Sequence, residues 1–217
     1  MATHYGEIVA DRVFAGTTQL AMALRPLVTA ATTTLQLTAA QRARTIVRVD
    51  AGGGSLADVN WVLEQDYQYH GKDYSSVRAA RLAASVTRWV ADPKVAGREC
   101  GWVRAAPTEY VRPVIRVAVR CRKANGQWGY AVLVSSLGCA EVQALIAEVP
   151  ATPGAEEAAL LGYVYFYDGR GGGVESSLHE DKQGLGLTKR NKKRLEAQQM
   201  VVLLSSLAHN TLVWARA

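Results

Sequence analysis

The sequence predicts a layered α/β fold on three observations. Thr45-Ile46-Val47-Arg48-Val49 is a β-branched run of strand length that ends on Asp50 and the glycine loop Gly52-Gly53-Gly54. Ser55, with Asp58 three residues on, then caps a helix striped by Leu56, Val59 and Leu63, and a second strand follows near Tyr67 to Lys72. Arg116, Ala118 and Arg120 alternate with Val117 and Val119 up to the Asn125-Gly126 turn, and Trp128 to Leu137 returns as the partner strand of a hairpin. A strand–loop–helix–strand unit of this kind presents its functional groups at the carboxyl ends of the strands.

Ahead of this unit, Glu7 to Phe14 reads as an extended piece, and Ala15-Gly16 as a turn. Leu20, Leu24 and Leu27 recur at helical spacing, and Pro26 bends or ends the first part of that helix. Thr29 to Thr34 fits no single element. From about Val86 to Pro150 the pattern is that of an antiparallel β element inserted into the α/β domain. Pro153 and Gly154 lie in a linker that leads to an aromatic strand, Leu160 to Phe166. A glycine turn, Gly171-Gly172-Gly173, then precedes a helix starting near Val174, in which Glu175, Leu178 and Lys182 fall at i, i+3 and i+7 and share one face. The last helix offers Leu195, Met200, Val201, Leu204, Leu207, Ala208 and Val213 for inward packing. The boundaries expected on these grounds are 1–85, 86–155 and 156–217.

The 217 residues suffice for a sizeable core, and 49% hydrophobic content describes a soluble globular chain. No apolar run reaches membrane-span length and the first residues lack the regions of a secretory signal, so the expected location is cytosolic, with no membrane partner. Cys100, Cys121 and Cys139 are odd in number and widely spaced, which supports neither a disulfide framework nor a zinc knuckle and predicts buried, reduced thiols. A net charge of +6 is compatible with a polyanionic partner and equally with a mildly basic enzyme that has none.

Each candidate constellation has a plain structural reading beside the chemical one. Asp50 can cap its own loop through an Asx turn. Glu175 can be a favourable charge at a helix start. Taken together, two acids at element ends beside glycine turns, with cations around the second, are what a divalent-metal phosphoryl-transfer site needs, since Mg²⁺ takes one or two carboxylates and completes its shell with water and phosphate. The run Lys189-Arg190-Asn191-Lys192-Lys193-Arg194 is either an exposed helix face or a grip on a nucleic-acid backbone. Asp168, Glu180 and Asp181 read as solvated charges or local partners. His70, His179 and His209 have no ligand spacing. Trp102 and Trp128 read as core or edge aromatics, with base stacking physically open to them.

Tyr167, Arg170, Glu175 and Lys182 resemble the Tyr-Arg-Glu-Lys signature of bacterial insertion-sequence transposases of the DDE type. Two residues separate Tyr167 from Arg170 and six separate Glu175 from Lys182, as in that signature. Arg48-Val49-Asp50-Ala51-Gly52 is similar to the family's second acidic motif, and Asp181-Lys182-Gln183-Gly184-Leu185 and Leu207-Ala208-His209-Asn210 also look like the family. The resemblance spans about Thr18 to Arg216. It implies a partial ribonuclease-H-like, retroviral-integrase-like core with an inserted antiparallel β region and a C-terminal helix, located in the bacterial cytoplasm at the nucleoid. In such enzymes three carboxylates hold two Mg²⁺ or Mn²⁺ ions roughly 3.5–4 Å apart for in-line attack on a DNA phosphodiester. By position Asp50 would be the second carboxylate and Glu175 the third, while Tyr167, Arg170 and Lys182 would grip phosphates near the cut end. The partners implied are double-stranded DNA, as transposon ends and target, and full-length transposase or a second copy.

The chain departs from the pattern twice. Four residues lie between Arg170 and Glu175 where the signature has three, an excess that the glycine turn is expected to absorb. The first Asp of the family has no counterpart: Glu7 and Asp11 are the only acids before Asp50, and Asp11 lacks the motif's surroundings. The expectation is a carboxyl-terminal part of a transposase, inactive or nearly so by itself. The rival readings are a DNA-binding or transposase-inhibiting fragment and a pseudogene product.

Overall fold

The structure, a computed structural model, describes residues 6–14, 18, 20–49, 54–105, 109–146, 154–184 and 194–216; residues 20, 21, 170–184 and 216 are described in their backbone alone. Two compact units are present, Thr38–Gly169 and the pair Met1–Leu37 with Arg170–Ala217. The expected boundaries at 85/86 and 155/156 both fall inside the first of these. No helix among the described residues is long and apolar enough to cross a membrane.

The Thr38–Gly169 unit is a mixed α/β assembly around one six-stranded sheet. Strand β1 (Ile46–Val49) runs parallel to β2 (Gln68–Lys72), and the remaining neighbours are antiparallel in the order β1-β2-β6-β5-β4-β3, with β3 Val90–Ala91, β4 Arg98–Trp102, β5 Ile115–Arg122 and β6 Trp128–Ser135. A short helix, α2 (Ala39–Arg42), precedes β1, and the parallel pair is joined by α3 (Leu56–Glu64), which starts where expected: the Ser55 hydroxyl accepts from the Asp58 N–H at 3.2 Å. The hairpin also forms as read, with Arg122 opposite Trp128 and Gly126 at φ 78°, a left-handed conformation that glycine adopts without steric cost. Because His70 pairs with Ser135, the hairpin strands continue the β1-β2 sheet and do not form a sheet of their own.

One expectation is overturned. Leu160 to Phe166 is not a strand and Gly171-Gly172-Gly173 is not a turn; both lie in a single helix, α6 (Ala155–Gly184). Leu160, Leu161, Tyr163 and Val164 are all at most 2% exposed, so consecutive pairs of residues face the core. A half-buried strand would bury alternate residues, whereas this spacing fits one broad face of a helix. Glu156 and Glu157 in the first turn favour the helix start. The three glycines cost about 1 kcal/mol each relative to alanine, and the helix continues through them.

That face packs onto the sheet against Cys100, Val117 and Leu133, with Leu137 and with Val142 of α5 (Cys139–Leu145) closing the cluster. Each fully buried aliphatic or aromatic side chain contributes about 1.5–3 kcal/mol. Tyr163 also donates its hydroxyl to the Leu137 carbonyl at 2.8 Å, and burial, then the neighbouring Cys139, raise its pKa. Tyr163→Phe is expected to lower the unfolding free energy by about 1 kcal/mol, read by urea denaturation; an unchanged midpoint would mean that this bond adds nothing. The opposite face of the sheet is covered in part by α4 (Ser76–Ala83) through Ala79, Leu82 and Ala83.

The other unit contains α1 (Leu20–Leu35), with Pro26 inside it and Thr29 to Thr34 helical, and α7 (Leu195–Arg216). Residues 6–14 carry no regular structure and are held to α7 by side chains that bond their backbone. Asn210 accepts the Ile8 N–H and donates to the Ile8 carbonyl, both at 2.8 Å, and Gln199 accepts the Val13 N–H at 2.6 Å. This reverses the expected orientation of α7: Val201, Ala208 and Val213 are half-buried, but Leu195, Met200, Leu204 and Leu207 are exposed. The polar residues between them face the chain because unpaired backbone groups of residues 6–14 need partners.

The cysteines divide as well. Cys100 is buried and its thiol is pushed up to about 12 by that burial, yet Cys121 is exposed and Cys139 half-buried. Cys121 lies on β5 near the hairpin turn, where side chains of the strand leave the core.

Candidate metal and nucleic-acid site at the strand ends

The carboxyl ends of β1 and β2 lie side by side, with Val49 opposite Gly71. Asp50 follows Val49 directly and lies outside the described residues. What surrounds this end is well defined. Arg48, two residues before Asp50, donates to the Phe166 carbonyl of α6, and its guanidinium carbon stands 4.1 Å from the centre of the Phe166 ring. Tyr167 is next in α6, half-buried, with its ring 6.3 Å from that of His70 on β2. His70 itself is buried against Phe166 at 4.8 Å. Side chains within one unit thus bring the strand that ends just before Asp50 next to the helix turn that carries Tyr167.

Two further acids sit at this end, and both are engaged. Asp58 is 4% exposed and accepts the Ser55 hydroxyl. Asp73, just past β2 and 5% exposed, pairs with Arg78 at 2.8 Å and accepts the Ser75 N–H at 3.2 Å. Arg78 also bonds Glu109, which in turn faces Arg116 at 3.4 Å. Arg116 is buried and donates to the Ala105 carbonyl. Asn60 of α3 donates to the Glu109 carbonyl at 2.9 Å and accepts the Val111 N–H at 3.1 Å, while Arg112 donates to the Tyr67 carbonyl. This network ties the β4–β5 connection to α3, α4 and β2.

Beneath it lies the Tyr69 ring, fully buried, its hydroxyl without a hydrogen-bond partner among the described residues. Burial, then Tyr110 and Asp73, raise the Tyr69 pKa; burial, then Asp73, push Tyr110 up to about 12. Both phenols stay protonated across the working pH range.

Among the described residues no three His, Cys, Asp or Glu side chains gather for a metal ion. Asp58 and Asp73 are thus both engaged, Asp50 lies outside the described residues, and Glu175 is described in its backbone alone. Glu175 and Lys182 are both in α6, seven positions apart, so the helix brings them within about 20° of one azimuth. The extra residue after Arg170 is not absorbed by a turn, because there is none. Inside a helix it advances everything beyond by about 100°, so Glu175 stands about 140° round the axis from Arg170 where the signature spacing would give about 40°.

Lys189, Arg190, Lys192 and Lys193 lie outside the described residues, and Arg194, just before α7, is exposed. Asp168 pairs with Arg98 at 2.7 Å, a partner distant in sequence. A cleft of about 190 Å³ between β3–β4 and the first turn of α6 is lined by Arg88, Trp102, Arg104, Glu156 and Glu157 and by none of the candidate metal-holding or phosphate-contacting residues. Trp102 is half-buried against the core cluster and meets the Tyr163 ring edge-on at 5.8 Å.

The sequence reading missed the Asp73–Arg78–Glu109–Arg116 chain and the stacked set Trp89, Arg120, Trp128 and Arg122. The period-two row Arg116, Arg120, Arg122 on one side of β5 was the signal for both. No protein-family model matches the chain, and no curated protein matches it.

Proposed function

We propose that this chain is part of the ribonuclease-H-like catalytic core of a DDE-type transposase, acting on transposon-end DNA by metal-dependent cleavage and strand transfer. The observation that carries the reading is the Arg48–Phe166 contact, which sets the strand leading to Asp50 against the turn of α6 that bears Tyr167. The parallel β1-α3-β2 unit, with an antiparallel extension beyond β2, is compatible with it.

In this reading Asp50 and Glu175 hold Mg²⁺ or Mn²⁺, which when bound supplies Lewis-acid polarisation of a phosphate oxygen and an activated water or 3′-hydroxyl. The chain's own residues position the substrate. Lys182, Tyr167 and Arg170 contact phosphates near the cleaved bond, and the cations from Lys189 to Arg194 neutralise backbone charge without reading sequence. The buried rings of His70, Phe166 and Tyr163 pack α6 onto the sheet in the part that carries Tyr167.

Two identified carboxylates are fewer than the three of the family's site, so the isolated chain is expected to nick supercoiled plasmid slowly in Mn²⁺. Glu175→Gln is expected to abolish that nicking, and equal nicking by the variant contradicts the reading. The engagement of Asp58 and Asp73 favours a second reading, in which the chain binds DNA without cutting it. A salt-sensitive gel shift that survives Asp50→Asn, with no nicking by the unsubstituted chain, would select it.

A further inference from the structure

The sheet face opposite α6 is covered by α4 only part of the way along. On the paired strands β5 and β6, Ala118 and Val132 are fully buried, the next pair outward, Arg120 and Tyr130, is half-buried, and the last, Arg122 and Trp128, reaches the hairpin tip with Arg122 exposed. On this outer stretch four side chains form one alternating stack. The Arg120 guanidinium carbon lies 4.2 Å from the Trp89 ring centre and 4.4 Å from that of Trp128, and Arg122 follows at 5.1 Å on Trp128.

The two arginines differ in charge balance. Arg120 donates its Nε to Glu99 at 2.5 Å and pairs with the same carboxylate through a second nitrogen. Its charge is matched, and it packs on both indoles through cation–π contacts. Arg122 has no carboxylate partner among the described residues, nor has Lys123 beside it at the start of the turn, and both are exposed. The stack therefore ends in an exposed guanidinium plane next to an ammonium group, on a support already ordered by cation–π contacts.

Strand register places this stack relative to β1 and β2. Lys72 at the end of β2 pairs with Leu133, so continuing past the carboxyl end of β2 leads along β6 towards Trp128. The hairpin tip thus projects beyond the sheet at the same end to which β1 delivers Asp50.

We propose that this hairpin end is a binding surface for single-stranded nucleic acid, with Arg122 and Lys123 neutralising phosphates and the outer plane of Arg122 stacking a base. An exposed guanidinium plane beside unmatched positive charge fits a polyanion that itself carries π-faces, and an acidic polypeptide would use only the charges. The surface shares no residue with the proposed metal site, so it holds or fails independently of that reading.

The test is fluorescence anisotropy of a labelled 20-mer of thymidylate with the full chain in EDTA at low salt. Arg122→Ala/Lys123→Ala is expected to weaken binding at least tenfold and to reduce the salt slope by about 1.4, the value for two lost phosphate contacts on a single strand. The same charge removed at the exposed Arg12 and Arg44 is expected to change binding less than threefold. Weaker binding by Arg122→Lys, which keeps the charge and loses the plane, is the expected sign of stacking. Equal weakening by the two double variants, or competition by polyglutamate as effective as by unlabelled thymidylate, overturns the proposal.

Discussion

Glu109→Gln is expected to lower the unfolding free energy of the Thr38–Gly169 unit by about 3 kcal/mol, because it leaves the buried Arg116 guanidinium with a carbonyl and no carboxylate. Arg78 keeps Asp73, so the loss falls mainly on Arg116 and on the β4–β5 connection. Burial by itself would raise the Glu109 pKa, but its own backbone hydrogen bond and Arg78 more than reverse this and hold the carboxyl below its ordinary value of 4.5. A carboxyl depressed by folding stabilises above its unfolded pKa and stops doing so as pH falls through the folded one. Stability carried by Glu109 is therefore complete at neutral pH and is lost below about pH 4.5, in a step that the glutamine variant lacks. Urea denaturation of both proteins across pH 3 to 7 reads the two effects together. An unchanged midpoint at pH 7 would show that Arg116 is solvated when its partner is removed.

Gly54→Ala is expected to destabilise the same unit by about 2–3 kcal/mol and to disturb the site as well. A Cβ on Gly54 would lie 2.0 Å from the Lys72 carbonyl oxygen, a backbone atom that cannot rotate away. Either the end of β2 or the residue itself must move, and the four residues before it are Asp50 to Gly53. Loss of stability together with weaker Mn²⁺ binding is the expected result. Full stability in thermal and urea unfolding would mean that this approach is looser than it stands here.

What could be read in the sequence was what local chemistry decides. The β-branched run before Asp50, the Ser55 cap, the strand at Gln68–Lys72 and the Asn125-Gly126 hairpin each depend on residues within a few positions of one another. The stretch from Leu160 to Gly173 was misread because a short all-apolar run satisfies a buried strand and a buried helix equally, and three glycines suggested a turn that the helix overrides. The leucines of α7 were assigned inward by periodicity, while the amides of Gln199 and Asn210 claim the covered face by bonding residues 6–14, which no periodicity signals. The Asp73–Arg78–Glu109–Arg116 chain joins residues from four segments and becomes visible only once the sheet is assembled. Of the candidate site, the sequence supplied the acids and their spacing. It did not reveal that Arg48 joins the strand before Asp50 to the turn of α6 that bears Tyr167, nor that the residue added after Arg170 turns the helix.

The central claim is that Asp50 and Glu175 serve one cation site, and calorimetric titration with Mn²⁺ tests it most directly. The unsubstituted chain is expected to bind Mn²⁺, Asp50→Asn and Glu175→Gln each to lose roughly tenfold or more in affinity, and the double variant to lose little beyond either single one. Mn²⁺ affinity unchanged by both single substitutions would contradict the claim.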